Sequence, residues 1–95
     1  MYTRKATVAA EVGLHARPAA VFVRAVNQTG LPVTLAKDGE PPVDARSLLE
    51  VMTADFLCGT EVSITVSPTT PDDETVRNAV DHLAALLGTD LNDPA

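Results

Sequence analysis

The chain has 95 residues, 45% of them hydrophobic and only three aromatic, which allows one small domain over residues 1–95 with an aliphatic core. One cysteine and two histidines argue against an internal disulfide or a zinc cluster, so we expect neither a metal nor a cofactor. The net charge of −6 argues against nucleic acid as a main partner, and no apolar run could cross a bilayer. The first residues show no secretion signal, so we expect a cytoplasmic protein without membrane insertion.

The first two predicted elements are a strand and a helix. Residues 2–10 are rich in threonine, valine and alanine and alternate in polarity, which indicates a β-strand. Residues 16–28 change to a helical period, and Pro18 falls in the first turn, where its missing N–H costs nothing. Gly30 follows as a stop signal. The predicted buried stripe of this helix consists of Ala19, Phe22, Val23 and Val26.

A hairpin is predicted to follow the first helix. Residues 33–36 alternate as a second strand, and the Asp-Gly pair at residues 38–39 is typical of a tight turn. The returning segment, residues 40–43, contains two adjacent prolines, which cannot donate to a β-ladder. The third strand is therefore expected to be short and to lie on a sheet edge.

A short helix, a strand and a long helix complete the predicted order. Ser47 and Glu50 have the spacing of a capping box that opens a helix through about residue 54. Residues 61–67 alternate cleanly as a fourth strand, and a helix is expected from residue 71 to a stop at Gly88. The strand presents Val62, Ile64 and Val66 on one face, and the helix buries Val76, Ala79, Val80, Leu83 and Leu87.

The element order β-α-β-β-α-β-α predicts an α+β fold. Four strands form a largely antiparallel sheet, and three helices cover one face, because each amphipathic helix must bury its apolar stripe against the sheet. The other face of the sheet remains free, which makes the architecture an open-faced β-sandwich. We expect this domain to be a monomer.

Charge is spread unevenly along the chain. The first 28 residues carry four basic and one acidic side chain, whereas the remaining 67 carry three basic and twelve acidic ones. A basic segment on an acidic protein indicates a local anion site or an acidic partner. Ordinary solvated surface charge is the alternative explanation.

The segment GLHARPAA at residues 13–20 is the strongest candidate for chemistry. It places His15 at the start of the first helix, where the backbone N–H groups of Ala16 and Arg17 have no helical partner. These groups and the helix dipole form an anion site, and the Arg17 guanidinium adds donors suited to phosphate. The positive field there favours a neutral, nucleophilic imidazole. The alternative is that His15 is simply a polar helix cap.

This octapeptide resembles the active-site signature of the HPr family, the histidine-containing phosphocarriers of the phosphoenolpyruvate-dependent sugar phosphotransferase system. VDARSLLEVM at residues 43–52 is similar to the second motif of the family, and GTEVSITV at residues 59–66 matches its fourth strand. The resemblance covers nearly the whole chain. It implies that His15 accepts a phosphoryl group from phosphorylated enzyme I on its Nδ1 atom and passes it to IIA domains of sugar permeases.

The resemblance also implies roles for other residues. Arg17 would steady the phosphate, and the N–H groups of Ala16 and Arg17 would surround it. Ser47 matches a serine that a dedicated kinase phosphorylates in some bacteria, which would add a serine kinase and phosphorylase as partners; helix capping with Glu50 already explains this serine and is the favoured interpretation. A docking patch for partner proteins, as the resemblance has it, comprises Ala20, Val21, Arg24, Leu48, Leu49 and Met52.

Two functions compete within this fold. The first is a phosphocarrier that works through His15, a phosphoryl-transfer protein rather than a free-standing enzyme. The second is a regulatory protein-binding module that acts through Ser47 and the apolar residues of the following helix. An unrelated ligand-binding domain in which His15 is only a cap is a third possibility. The presence of both His15 and Arg17 favours the phosphocarrier.

The chain departs from the family pattern at several positions. Val12 stands where a polar side chain is common, Asp55 where a glycine is usual, and Glu50 adds an acid beside the docking patch. The two prolines at residues 41–42 bring one extra residue ahead of Ser47, so we expect a bulge in the third strand. Of the remaining candidates, His82 is predicted to be a surface residue and Cys58 a packed thiol.

Overall fold

The structure, a computed structural model, describes residues 2–66 and 73–89. The element order is the predicted one; residue 67, the predicted end of the fourth strand, and residues 71–72, the predicted start of the last helix, lie outside this range. None of the described helices is both long and apolar enough to cross a membrane. The elements are β1 (Tyr2–Thr7), α1 (Ala16–Thr29), β2 (Val33–Lys37), β3 (Val43–Asp44), α2 (Leu48–Thr53), β4 (Glu61–Val66) and α3 (Asp73–Leu87).

The four strands form one sheet in the order β1-β4-β2-β3, with every pair antiparallel. Ile64 of β4 lies opposite Arg4 on one side and Leu35 on the other. Because side chains alternate along a strand, this register turns Val62, Ile64 and Val66 to one face, where all three are buried. The three helices cover that face, which confirms the predicted open-faced α+β sandwich.

The core forms where the helix stripes meet the sheet. On α1 the predicted residues Ala19, Phe22, Val23 and Val26 are all buried. On α3 four of the five predicted residues are buried, and Ala79 is half-buried. Gly30 adopts φ 71°, and its N–H donates to the Asn27 carbonyl, so α1 ends on the predicted glycine cap. Helical periodicity in the sequence therefore located the core residues.

The first strand ends earlier than predicted, at Thr7 instead of residue 10. The N–H of Val8 donates to the Thr60 carbonyl at 2.9 Å, just before β4 begins. The N–H of Ala9 then donates to the Leu87 carbonyl at 3.1 Å, at the end of α3. The chain thus leaves the sheet edge because its next hydrogen-bond partner belongs to a helix, and it enters the loop that carries His15.

The hairpin between β2 and β3 contains the bulge that was predicted from its two prolines. The Glu40 N–H donates to the Lys37 carbonyl at 3.0 Å and closes the turn. Leu35 pairs with Val43, so the two prolines at residues 41–42 lie opposite a single residue, Ala36. With no N–H groups from these prolines, β3 keeps only two paired residues and lies at the sheet edge, as predicted.

Candidate functional site

Two loops are held together to form the site. Gly13 has φ 73°, and a Cβ atom added there would lie 2.5 Å from the Phe56 carbonyl oxygen. The next residue, Leu14, is fully buried, and its N–H donates to the same carbonyl oxygen at 2.8 Å. Only glycine fits position 13 because of both its positive φ and this close approach. The loop ahead of α1 is thereby fixed to the loop that follows α2.

His15 lies at the N-cap position of α1 with an extended backbone, φ −129° and ψ 158°, and its side chain makes no capping hydrogen bond. Instead, Nε2 lies 3.1 Å from an Oδ1 oxygen of Asp55, and the imidazole is 35% exposed. The alternative that His15 is simply a polar cap is therefore not supported. The ring reaches solvent on one side and contacts a carboxylate on the other.

The backbone just after His15 carries free donors. Among the residues that the structure describes, the N–H groups of Ala16 and Arg17 have no hydrogen-bond partner, and the first bond of the helix runs from the Ala19 N–H to the His15 carbonyl at 3.5 Å. Ala16 has φ 51°, a left-handed conformation that is unusual for alanine, and helical backbone follows. Such a change of hand turns successive N–H groups toward a common point, which suits an anion.

Arg17 provides an exposed positive charge beside these N–H groups. Its side chain is exposed and makes no ion pair within the described part of the chain. Acidic residues are absent from the first turn of α1, and the nearby Asp55 carboxylate contacts the His15 ring. An anion bound at this end of α1 would meet two backbone donors and a guanidinium.

Asp55 is the residue of this site that sequence reasoning missed. Its position was noted only as a departure, whereas the structure places its carboxylate against His15. Its backbone has φ 62°, and its carbonyl accepts a hydrogen bond of 3.2 Å from Nζ of Lys37. The same ammonium lies 5.9 Å from the centre of the Phe56 ring. The one signal in the sequence was an acidic residue where the backbone was expected to need a glycine.

The predicted docking patch falls on two neighbouring helices. On α1, Ala20 and Arg24 are exposed and Val21 is half-buried. On α2, Leu49 is 77% exposed and Leu48 40%, which is high for leucine, and Met52 is half-buried. The amide of Asn27 on α1 donates to the Arg46 carbonyl just ahead of α2 at 3.3 Å, which ties the two helices together.

Other apolar side chains also lie on the surface near the site. Val12 is 55% exposed and Leu57 53% exposed, one on each of the two loops that carry His15 and Asp55. A groove of about 690 Å³ between α1 and α3 begins at Ala16 and Arg17. Neither Val12 nor Leu57 was assigned a role from the sequence, since an isolated apolar residue in a loop gives no periodic signal.

Ser47 forms a helix cap, and the predicted capping box is only half present. Its Oγ accepts a hydrogen bond from the Glu50 N–H at 3.2 Å, as predicted. The Glu50 carboxylate, however, accepts from the Asp44 N–H at 3.1 Å, because the Ser47 N–H already donates to the Asp44 carbonyl. Hydrogen bonds from the Arg46 side chain and backbone hold the pKa of Asp44 below its usual range.

Of the two remaining candidates, one prediction is confirmed and one is wrong. His82 is a surface residue, as expected. Cys58 is exposed rather than packed, because a turn closed by the Thr60 N–H and the Leu57 carbonyl projects it outward. Of the three consecutive apolar residues at positions 56–58, only Phe56 enters the core. Within residues 2–66 and 73–89, no three potential metal ligands lie close enough together to hold an ion.

Comparison with known proteins covers almost the whole chain. Residues 2–89 match the family model described as PTS HPr component phosphorylation site. The phosphocarrier protein HPr of Streptomyces coelicolor is 39% identical over 98% of this chain and 95% of its own length. The HPr-like protein Crh of Bacillus subtilis is 37% identical over 92% of this chain and 95% of its own. The crystal structure of HPr from Bacillus anthracis superposes with a TM-score of 0.76 at 29% identity, covering 90% of this chain and 94% of that one.

Proposed function

This chain belongs to the HPr family of phosphocarrier proteins of the phosphotransferase system, and on that premise we propose that Nδ1 of His15 is the atom that carries the phosphoryl group. The observation that supports His15 is the pair of unpartnered N–H groups of Ala16 and Arg17, which directly follow an accessible imidazole. Nδ1 is bonded to Cγ, the ring atom through which the side chain is attached, so it is the ring nitrogen nearer to the backbone that carries those N–H groups.

The transfer exchanges the bond from phosphorus to the donor for a bond from phosphorus to Nδ1 of His15. The Nδ1 lone pair attacks the phosphorus of phosphorylated enzyme I, the bond from phosphorus to the donor breaks, and its electron pair stays with the donor. The phosphoryl oxygens then accept hydrogen bonds from Ala16 and Arg17, and the Arg17 guanidinium offsets part of their charge. Transfer to a IIA domain of a sugar permease reverses these steps with a new acceptor. Each partner supplies the rest of the active site.

The docking patch is proposed to hold these partners in turn. Exposed leucines on α2 and Arg24 on α1 combine apolar contact with positive charge. A small apolar surface bordered by charge suits short-lived complexes, which a carrier needs because it must leave one partner before it reaches the next. A carrier that meets permease domains at the inner membrane surface works in the cytoplasm and as a monomer.

Regulation through Ser47 is the second candidate function. It draws support from the similarity to Crh, which is described as the catabolite repression containing protein of Bacillus subtilis. The cap on Glu50 gives Ser47 a structural role, and phosphorylation by a serine kinase would place a dianion beside Glu50 and Leu49. The free donors beside His15 would serve no purpose in a module that acts only through this serine, so the carrier function is preferred.

The test is incubation with phosphoenolpyruvate and enzyme I, followed by intact mass measurement. We expect a gain of about 80 Da, the mass of one phosphoryl group, with the acid lability of a phosphohistidine. His15→Ala should take no label, and His82→Ala, which removes the other histidine, should take a full one. A label that persists in His15→Ala, or is absent from the wild-type protein, would refute the proposal.

A further inference from the structure

We propose that Asp55 is a positioning residue for phosphoryl transfer: by accepting a hydrogen bond from Nε2–H of His15, it fixes the tautomer in which Nδ1 carries the free lone pair. This inference rests on the proposed role of His15 as the phosphoryl carrier. The contact joins residues 40 positions apart in the sequence, and it lies at an acidic position where the motif comparison led us to expect a glycine.

The geometry decides which ring nitrogen is protonated. A neutral imidazole has one N–H and one lone pair, and a carboxylate can only accept. With Nε2 3.1 Å from Oδ1 of Asp55, the proton must lie on Nε2 for a hydrogen bond to form. The lone pair is then on Nδ1, on the backbone side of the ring, close in sequence to the free N–H groups of Ala16 and Arg17.

The backbone that carries the Asp55 carboxylate is held in place by its surroundings. Nζ of Lys37 donates to the Asp55 carbonyl at 3.2 Å, and the Phe56 carbonyl accepts the Leu14 N–H at 2.8 Å. The missing side chain of Gly13 allows the two loops to approach this closely. His15 and Asp55 therefore sit on loops whose backbones are fixed relative to each other, which is what a positioning contact requires.

The backbone of Asp55 indicates that this side chain is retained at a cost. Its φ of 62° is a conformation that glycine adopts freely and that aspartate tolerates better than most residues but less well than glycine. Glycine would be the residue that suits this backbone best, so stability alone does not explain an aspartate. The interaction of its carboxylate with His15 does.

The same carboxylate stabilises the phosphorylated state. When the Nδ1 lone pair forms the bond to phosphorus and Nε2 keeps its proton, the ring acquires a positive charge. Asp55 then faces a charged donor, and its hydrogen bond with the ring becomes stronger. No proton has to leave or enter His15 during the transfer, since Nδ1 already carries a free lone pair, Nε2 keeps its proton and the donor keeps the electron pair of the broken bond.

The experiment compares Asp55→Gly and Asp55→Asn with the wild-type protein. Glycine suits the backbone and removes the acceptor, whereas asparagine keeps a neutral acceptor oxygen and tolerates the same φ. Asp38→Asn and Asp38→Gly, in the exposed turn after β2, are the matched controls for loss of one carboxylate. For each variant, the His15 tautomer is measured by ¹⁵N NMR at a pH of about 9, where an ordinary histidine is neutral, and the rate of phosphoryl acceptance from enzyme I is measured separately.

We expect the ratio of Nδ1–H to Nε2–H tautomer to rise about fivefold in Asp55→Gly, the rate of acceptance to fall by a similar factor, and the unfolding midpoint to stay level or rise. Asp55→Asn should keep the wild-type tautomer and recover part of the rate, and both Asp38 variants should match the wild type. An unchanged tautomer in Asp55→Gly, an unchanged rate, or a rate loss that follows a loss of stability would each overturn the inference. If the wild-type protein takes no phosphoryl group, the proposed function fails, and the NMR comparison still decides whether Asp55 sets the tautomer.

Discussion

The core and the His15 site of this protein follow opposite rules. In the core, helix and strand residues have ordinary backbone angles, and their apolar side chains are buried in the pattern that the periodicity predicts. At the site, Ala16 and Asp55 are the two residues other than glycine that have positive φ in the described part of the chain. One directly follows His15, and the other contacts its ring.

The difference shows that the strained backbone conformations of non-glycine residues lie at the His15 site and not in the core. Each non-glycine residue with positive φ costs about 1–2 kcal/mol, which small domains tolerate only when the surrounding structure holds it. Here the strained residues turn two N–H groups outward and bring a carboxylate to an imidazole. The core supplies the stability that this arrangement requires, so mutations in the two regions should have separable effects.

The largest expected effect is in the core. Phe22→Ala removes a fully buried ring from α1 and should lower the free energy of unfolding by about 3–5 kcal/mol. His15→Ala should change it by less than about 0.5 kcal/mol, because the imidazole makes one exposed contact. Urea denaturation of both variants measures the contrast. Comparable losses in the two would mean that the site is part of the stabilising core.

Gly13→Ala should lower both the stability of the protein and the activity of the His15 site. The added Cβ would lie 2.5 Å from the Phe56 carbonyl oxygen, and the alanine would have to keep a positive φ. We therefore expect the free energy of unfolding to fall by about 2–4 kcal/mol. The two loops must separate to relieve the clash, and phosphoryl acceptance should fall as well. Gly39→Ala is the control, since it has a similar φ with nothing within 4 Å of the added atom. Equal losses in both variants would show that the clash with Phe56 is unimportant.

Ala16→Gly should act in the other direction. Glycine relieves the strain of φ 51°, and after allowing for its greater freedom in the unfolded chain we expect a gain of about 0.5–1 kcal/mol. Phosphoryl acceptance should become slower, because the two N–H groups are no longer held in one direction. Thermal unfolding and the transfer assay, run side by side, measure both. A variant that is more stable and equally fast would show that the strain has no function.

The smallest effect concerns the ion pair ahead of Ser47. The pKa of Asp44 is lowered by its hydrogen bonds with Arg46, so the stabilisation is complete above the unfolded-state pKa of about 3.9 and disappears as the pH falls through the folded value. Arg46→Ala should lower the stability only slightly at pH 7, since both side chains are exposed. The difference from wild type should vanish in acid. A gap that persists below pH of about 2 would point to a different cause.

Elements with a strong period were predictable from the sequence, and the exceptions have local causes. Both long helices, the strand β4 and the glycine stop of α1 were identified because burial on one face imposes a repeat. The end of β1 was misplaced because Ala9 finds its partner at the far end of α3. Cys58 was wrongly predicted to be packed, since a turn and not the hydropathy of its neighbours sets its direction.

The residues of the GLHARPAA segment were sufficient to identify a helix start with free donors and a histidine before it, because capping and glycine and proline effects act over a few residues. The tertiary structure alone determined what faces that histidine. Asp55 reaches it through a sheet register, a short helix and two loops packed backbone to backbone, and no short-range preference records such a contact. Chemistry that depends on one residue and its neighbours can be read along the chain, whereas chemistry that depends on two distant segments requires the fold.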